Sequence, residues 1–148
     1  MLSNPSFELD GYSYNWWTSV SALRKSTIQR IPAISRSGNW LAVMGDANRE
    51  TATLSQWFYV QPSQKELTFW YKITSTEACG TTTDLVRVWI GTAERWYLYP
   101  CKNRVSRFWR SVTIDLRDVA GKTTSVTFEM RTSATNPSTW FVDDLQVR

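Results

Sequence analysis

The sequence contains no histidine, and this absence excludes several kinds of chemistry. Histidine is the commonest general base in enzymes, so a Ser-His-Asp arrangement cannot form. The two cysteines, Cys79 and Cys101, do not lie in a C-x-x-C or Cys/His zinc pattern. A phosphate-binding loop and a dinucleotide fingerprint are also lacking. These absences favour a binding surface over a catalytic site.

Long apolar runs and helical periodicity are absent too. No segment approaches the length of a membrane span, and no stretch repeats its apolar residues with the 3.6 period of a helix. Short alternating segments recur instead, with turn residues between them, which is typical of an all-β sandwich or barrel. The 148 residues suit a single domain, residues 1–148, with room for a sizeable core.

The nine tryptophans are the most unusual feature of what is present. Alternation in the predicted strands 52–60, 67–73 and 86–90 separates inward apolar residues from outward aromatic ones. The outward set is Trp57, Tyr59, Trp70 and Trp89, with Arg87 on the face of Trp89. Gln56 has inward parity. Flat sugar faces stack on such rings, and strands hold rings rigidly, so this set predicts a carbohydrate-binding surface.

The predicted surface depends on how the strands are arranged. If Trp57, Trp70 and Trp89 project from adjacent or near-adjacent strands, their rings form one platform for consecutive sugar units. Two alternatives remain open. Loops cover many tryptophans on the second face of a sandwich, and an exposed aromatic patch also marks protein interfaces.

The final segment, 139–148, alternates as a strand and contains an acidic residue at an apolar position. Phe141, Leu145 and Val147 share a parity, and Asp143 shares it with them. If these apolar side chains face a core, the Asp143 carboxylate is buried and needs hydrogen bonds, a cationic partner or a bound cation. The alternative is that the strand ends at Val142 and the aspartates are solvated.

The other charged residues suggest weaker hypotheses. The carboxylates are scattered, although two of them could still meet across a cleft as a glycosidase pair. The segment 102–110 interleaves four cations with two aromatic residues. Such a loop suits single-stranded nucleic acid or an anionic glycan, but a solvated loop that aids solubility is the simpler interpretation. The net charge of +4 is too small for a dedicated nucleic-acid binder, so none is expected.

Three motifs together resemble the jelly-roll carbohydrate-binding modules and their MAM-like relatives, which are secreted adhesion domains. The opening Asn-Pro-Ser-Phe-Glu of residues 4–8, followed by Gly11 and Trp17, is similar to their N-x-G-F-E…G…W opening. The segment from Phe141 to Leu145 resembles their closing F-x-x-D-D-[VIL] strand, and the run 109–121 resembles a middle motif. The resemblance implies an antiparallel β-sandwich of the jelly-roll type.

The resemblance also implies specific sites. Related domains hold a structural calcium between the early Glu and the late Asp, with backbone carbonyls from an S-G-x turn. Here those positions are Glu8 and Asp143, with main-chain oxygens near Gly38 and Asn39. Trp17, Trp40 and Trp140 lie in the family-like segments and are expected in the core, whereas Trp109 is expected to be half-buried.

Cys79 and Cys101 flank a predicted hairpin, whose two strands bring them near each other. We therefore expect a disulfide between them, and hence an oxidising, extracellular location. Together with the resemblance, this predicts a non-catalytic, secreted carbohydrate-binding or adhesion module with a structural Ca²⁺ and a glycan or cell-surface polysaccharide as partner. The alternative is a structural domain of a surface assembly that binds protein, including copies of itself.

Overall fold

The computed structural model describes residues 1–9, 16–20, 27–80 and 84–148. The regular structure of these residues consists of β-strands and one 3₁₀ turn at Arg117–Val119. The strands are β1 (Trp17–Val20), β2 (Ile28–Arg30), β3 (Trp40–Gly45), β4 (Thr51–Tyr59), β5 (Glu66–Thr74), β6 (Leu85–Ile90), β7 (Ala93–Leu98), β8 (Arg110–Asp115), β9 (Thr123–Arg131) and β10 (Thr139–Val147). In the described part of the chain, no helix has the length and hydropathy of a membrane-spanning segment.

The strands form two antiparallel five-stranded sheets. The first sheet has the order β1-β4-β9-β6-β7, and the second has the order β2-β3-β10-β5-β8. The two sheets face each other across one core, which confirms the predicted β-sandwich. Because the chain crosses between the sheets repeatedly, residues distant in sequence meet on one face.

Aromatic pairs join the two sheets through the core. Phe69 of β5 meets Phe128 of β9 with ring centres 5.1 Å apart and planes nearly perpendicular. Trp96 of β7 stacks on Trp140 of β10 at 6.0 Å. Each pair therefore adds an aromatic contact to the apolar area that the sheets bury against each other.

The predicted alternation is confirmed along β4. Leu54 and Phe58 are buried, whereas Trp57 and Tyr59 are exposed. Gln56 also points inward, as its parity predicts. Its amide binds the backbone of Ser3, which donates its N–H to Oε1 at 2.6 Å and accepts from Nε2 at 3.0 Å. The buried amide thus anchors the start of the chain to the first sheet.

The predicted position of Trp17 in the core is wrong. Trp17 is 75% exposed on edge strand β1, and the preceding residue, Trp16, is 3% exposed. Trp16 packs against Phe7 and Phe128, and its Nε1 donates to the carbonyl of Asn4 at 3.2 Å. Neighbouring residues of a strand face opposite sides, so a one-residue difference in register exchanges the two indoles.

The other predicted core tryptophans are placed as expected, with one difference of degree. Trp140 is completely buried, and Trp40 is half-buried against the core. Trp109 is half-buried, and its Nε1 donates to the carbonyl of Ile34 at 3.2 Å. The motif segments therefore supply core contacts, as the resemblance implied.

The predicted parity of β10 is wrong for Phe141. Trp140 and Val142 face the core instead, and Phe141 points to the outer side of the second sheet. A bulge between Asp143 and Gln146 shifts the register against β5, so Leu145 returns to the core. A β-bulge inserts one residue and exchanges the faces beyond it, which simple alternation cannot anticipate.

The predicted disulfide is confirmed. Cys79 and Cys101 are bonded, with Cα atoms 5.0 Å apart and a sequence separation of 22. The bond fixes the segment after β5 to the segment after β7. In the chain-entropy model, closing a loop of this length stabilises the fold by about 3 kcal/mol.

The adjacent tryptophans at the start of β1 give a matched test of the fold. We expect Trp16→Ala to lower the free energy of unfolding by about 3–5 kcal/mol, because it empties a closely packed core position. Trp17→Ala should change it by less than about 0.5 kcal/mol, because the ring is largely in solvent. Urea unfolding of both variants measures the difference. Equal losses would show that the register of β1 is not the one described.

Candidate functional site

The outer face of the first sheet presents the predicted aromatic residues. Trp57 and Tyr59 project from β4 and are 67% and 45% exposed. Trp89 projects from β6 on the same side and is half-buried. Three of the four predicted rings point outward, as their parities predicted, and they share one face because β4 and β6 belong to the same sheet.

Trp17 adds a fourth ring to this face through the strand register. One row crosses the sheet from β1 to β6 and contains, in order, Trp17, Ser55, Thr127 and Trp89. Since paired strands lie about 4.8 Å apart, the Cα atoms of Trp17 and Trp89 are about 14 Å apart. Trp57 lies two residues beyond Ser55 on β4, so its ring stands between the two ends and to one side.

Small hydroxyl side chains fill the space between the three tryptophans. They are Ser55 on β4 and Ser125 and Thr127 on β9, with Ser125 directly opposite Trp57. Because these small side chains share one face with the rings, their hydroxyl groups form a polar floor between the indoles. The hydroxyl groups can donate and accept hydrogen bonds, while the indoles offer flat apolar surfaces. We call these six residues the tryptophan face, comprising Trp17, Ser55, Trp57, Trp89, Ser125 and Thr127.

Arg87 lies beside Trp89, as predicted, and is held firmly. Its guanidinium forms an ion pair with Glu129 and lies 3.5 Å from a carboxylate oxygen of Glu94. The guanidinium carbon is also 5.0 Å from the centre of the Trp89 ring. These contacts fix the cation and the ring before any ligand arrives, so little ordering is needed on binding.

Trp70 does not belong to this face, and the predicted platform of Trp57, Trp70 and Trp89 does not form. Trp70 points outward, but from β5 in the second sheet, on the opposite side of the sandwich. The guanidinium of Arg36 covers its ring at 3.9 Å. Strand parity predicted that Trp70 faces outward, but it could not predict which of two sheets the strand would join.

The signal for the missed residues was present in the sequence. In β9, the positions Thr123, Ser125 and Thr127 alternate with buried residues, and β4 shows the same pattern at Thr53 and Ser55. Two strands whose outward residues are small and hydroxylated form a floor when they pair. Sequence alone did not reveal that β4 and β9 are neighbours, because 63 residues separate the end of one from the start of the other.

Asp143 is fully buried on the outer side of the second sheet. Its Oδ2 accepts the backbone N–H groups of Arg36 at 2.9 Å and Ser37 at 3.3 Å, and its Oδ1 accepts that of Asp144 at 2.8 Å. Burial and the negative charge of Asp144 raise the pKa of Asp143 to about 7, although the three N–H donors act to lower it. The carboxylate is therefore hydrogen-bonded, one of the outcomes that the sequence allowed.

Glu8 binds the other half of the same turn. Its carboxylate accepts the N–H groups of Asn39 at 2.9 Å and Trp40 at 2.8 Å. Gly38 lies against this carboxylate with φ of +58°, and a Cβ there would be 2.3 Å from the carboxyl carbon of Glu8. Both the backbone conformation and the available space therefore require glycine at this position. Residues 36–40, called the 36–40 turn below, thus connect Glu8 with Asp143.

The structure brings the predicted cation ligands together at one turn, but the turn presents different backbone atoms. It donates N–H groups to Glu8, whereas the prediction was that its backbone carbonyls face a cation. Asp144 adds a third carboxylate, which pairs with the Arg36 guanidinium at 2.5 Å and accepts the Ser37 hydroxyl at 2.6 Å. No three acidic side chains of the described residues converge closely enough to enclose an ion. The calcium site remains a prediction.

Two other surface features lie away from the tryptophan face. A cavity of about 610 Å³ on the outer side of the second sheet is lined largely by Ile31, Ile34, Val43 and Phe141 and offers one aromatic ring. The basic loop between β7 and β8 exposes its cations and the ring of Phe108, which is 81% exposed. This matches the interpretation of a solvated loop.

Solved structures with the same fold include carbohydrate-binding modules and an adhesin. A carbohydrate-binding module, TmCBM61, in complex with β-1,4-galactotriose has a TM-score of 0.72 and 16% identity, covering 99% of this chain and 96% of that one. A module specific for non-crystalline cellulose, CBM28, has a TM-score of 0.61 and 14% identity, covering 100% and 94%.

The adhesin is the K1 cleaved adhesin domain of Lys-gingipain from Porphyromonas gingivalis W83. It has a TM-score of 0.66 and 16% identity, and the match covers 97% of this chain and 95% of that domain. No protein-family model and no curated protein matches the sequence. These likenesses confirm the predicted fold, a β-sandwich of the jelly-roll type that solved carbohydrate-binding modules and adhesin domains also adopt.

The buried carboxylate of Asp143 predicts an unusual dependence of stability on pH. Its pKa is about 7 in the folded protein, against 3.8 ordinarily, so the folded state binds a proton that the unfolded chain has released. With chelator present, the free energy of unfolding should therefore fall as pH rises from about 4 to about 7, by at most about 1.4 kcal/mol per pH unit from this group.

Asp143→Asn supplies the comparison, because the amide does not titrate. Urea unfolding of both proteins across this pH range should show a steeper decline for the wild type than for the variant. Parallel curves would mean that Asp143 retains an ordinary pKa in the folded protein. Groups distant from Asp143 contribute equally to both curves, so the difference isolates this carboxyl group together with its coupling to Asp144.

Proposed function

We propose that the chain is a non-catalytic module that binds a glycan on the tryptophan face. One observation carries the proposal: Trp17, Trp57 and Trp89 surround a floor of hydroxyl side chains on one rigid sheet. The folds shared with carbohydrate-binding modules support it. In those neighbours, the bound or recognised ligands are β-1,4-galactotriose and non-crystalline cellulose.

The exposure of the indoles is the physical argument for a ligand. Trp17 and Trp57 keep 75% and 67% of their surface in solvent, so they contribute little to the stability of the core. A pyranose covers such a ring with its C–H face and leaves its hydroxyl groups at the rim. The Ser and Thr hydroxyls of the floor lie where those sugar hydroxyls need partners, which favours a sugar over a purely apolar ligand.

The dimensions of the face favour a chain of several sugars over a single unit. The row from Trp17 to Trp89 crosses four strands, and Trp57 stands beside it. The nearest charged groups are Arg87, Glu129 and Glu94, which neutralise one another in part. A neutral oligosaccharide lying across the strands therefore matches both the length and the charge of the site.

The carboxylates on this face support binding without hydrolysis. A glycosidase needs one acid that is free to protonate the leaving oxygen and a second carboxylate opposite it. The guanidinium of Arg87 engages both Glu129 and Glu94, so neither carboxyl group is free to protonate a leaving oxygen. The runner-up hypothesis of a glycosidase thus gains no support from these two groups.

An extracellular location and a structural Ca²⁺ complete the proposal. The disulfide supports an oxidising compartment. At the 36–40 turn, three carboxylates face one cationic side chain, Arg36, so the local charge is negative and fits a hard cation with oxygen ligands. Glu8 and Asp143 would hold the ion, and the ion would neutralise a buried charge and join the two ends of the chain.

Removing single rings tests glycan binding. We expect Trp17→Ala, Trp57→Ala and Trp89→Ala each to weaken binding of β-1,4-galactotriose, or of the best ligand in a glycan array, about fivefold or more. This corresponds to about 1 kcal/mol of stacking energy. The melting temperature of the Trp17 and Trp57 variants should stay nearly unchanged, because both rings are solvent-exposed. Phe108→Ala, an equally exposed ring on another surface, is the matched control.

The outcomes separate the alternatives. Loss of binding on Phe141→Ala, with the tryptophan variants unaffected, would move the site to the cavity of the second sheet. Silence of the wild-type chain across a broad glycan array, together with tryptophan-dependent self-association in sedimentation, would favour the assembly hypothesis and reject the proposal.

Chelation tests the cation at the 36–40 turn. At a Ca²⁺ concentration of about 100 times its Kd, binding should stabilise the fold by about 2.7 kcal/mol, or roughly 5–10 °C in melting temperature. Glu8→Gln should lose this increment, because it removes a charged ligand and keeps the shape of the side chain. If Ca²⁺ raises the melting temperature of Glu8→Gln and of the wild type by the same amount, Glu8 is not a ligand.

A further inference from the structure

A second group of buried acids lies where β3 leads into β4 and β9 leads into β10. The inward row Ala52, Met130 and Val86 crosses three strands of the first sheet. Two residues further along each strand, the next inward row contains Glu50, Thr132 and Asp84, all of them buried. The apolar core of the sandwich therefore ends in a row that carries two carboxylates.

Glu50 is the unusual member of this row. It is 1% exposed, yet neither oxygen of its carboxylate has a hydrogen-bond partner among the described residues. No ion pair joins it to a cationic side chain in that part of the chain either. Its backbone is fixed, because Glu50 N donates to Thr132 Oγ1 at 2.8 Å and Glu50 O accepts from Thr132 N at 2.9 Å. An uncompensated buried carboxylate costs several kcal/mol.

Two further buried acids lie beside it. Asp84 is completely buried and accepts the N–H of Ser133 at 2.6 Å, and it accepts both the N–H and the hydroxyl of Ser138, at 2.9 and 2.7 Å. Glu77 is 6% exposed and accepts the hydroxyl of Ser133 at 3.0 Å. Ser133 follows Thr132 directly, so the chain holds all three acids around residues 132–138.

Protonation would remove the charge of Glu50, but the neutral carboxyl group would carry an O–H that also needs an acceptor. A cation satisfies both oxygens at once and offsets the charge. The polar groups named above are carboxylates, hydroxyls and backbone carbonyls, and hard oxygen donors of these kinds are the ligands of Ca²⁺.

We propose that Glu50 and Asp84, the two acids of this row, form a second Ca²⁺ site at this end of the sandwich, with Glu77 near it. Because no three acidic side chains of the described residues converge on one point, neutral oxygens must complete the coordination. The candidates are Thr132 Oγ1, which accepts the N–H of Glu50, and the carbonyl of Ala47, to which that hydroxyl donates at 2.5 Å.

The site is separate from the 36–40 turn. Thr139, next to Ser138, begins β10, and Asp143 lies four residues further along the same strand, or about 13 Å away. The ion would instead fix the β3–β4 and β9–β10 connections to the disulfide loop. That loop is the segment between Cys79 and Cys101, and it contains Asp84. Glu77 lies two residues before the loop, and its carbonyl accepts the N–H of Lys102 at 2.8 Å.

The test is the number of Ca²⁺ ions bound by the full chain after removal of metal with a chelator. In calorimetric titration with CaCl₂, Glu50→Gln should bind one equivalent fewer than the wild type. Glu66→Gln, a half-buried acid at the far end of β5, should bind as many as the wild type. Glu8→Gln should retain the equivalent that depends on Glu50, which keeps this inference independent of the 36–40 turn.

An unchanged number and affinity of Ca²⁺ ions in Glu50→Gln would overturn the proposal. If Glu50→Gln does not fold, crystals of the wild-type chain soaked in SrCl₂ decide the question. An anomalous peak within coordination distance of the Glu50 carboxylate supports the site. Ordered water alone at that position shows that Glu50 is hydrated and rejects it.

Discussion

The hydrogen bonds between the 36–40 turn and the carboxylates of Glu8 and Asp143 are the constraint on which the rest of the structure depends. The turn gives two N–H groups to each of these residues, one near the start of the chain and one near its end. Gly38 is required there, because a side chain would collide with Glu8. A sandwich whose first and last segments meet cannot fray independently at its two ends. The cost of burying Asp143 is therefore offset by the order it imposes on three segments that are distant in sequence.

The same turn makes the two outer faces of the sandwich different. Arg36 extends from it over Trp70 and pairs with Asp144, so the second sheet has its indole covered by a cation from its own chain. No such cover lies on Trp17 or Trp57 in the described structure, and both remain largely in solvent. Two faces that look equivalent in strand parity thus differ in what is available to a ligand. Exposure, and not outward direction alone, therefore distinguishes Trp17 and Trp57, whereas Trp89 joins them through the strand register and has Arg87 beside its half-buried ring.

Strand parity predicted much of this from the sequence, and its failures have identifiable causes. It placed Trp57, Tyr59 and Trp89 outward correctly, because regular alternation over several residues fixes the buried face of a strand. It failed for Phe141, where a bulge changes the parity, whereas the wrong expectation for Trp17 came from the motif resemblance and not from parity. It could not assign Trp70 to a sheet, because which strands pair is decided by crossings between distant segments. The disulfide was predictable because its cysteines flank a local hairpin.

Two features of the chain lower the stability of the fold by itself. One is apolar surface that remains exposed, and the other is a charged group that is buried. Large indoles are left in water on one surface, and the carboxylate of Glu50 is buried at the end of the core without a hydrogen-bond partner among the described residues. Folding alone selects for the reverse, since apolar surface is stabilised by burial and charge by hydration. Local violations of this kind are expected where a ligand compensates for them. A sugar would cover the indoles and a cation would neutralise the acid, so these two departures from ordinary packing are the observations on which the proposed glycan face and the proposed Ca²⁺ site both rest.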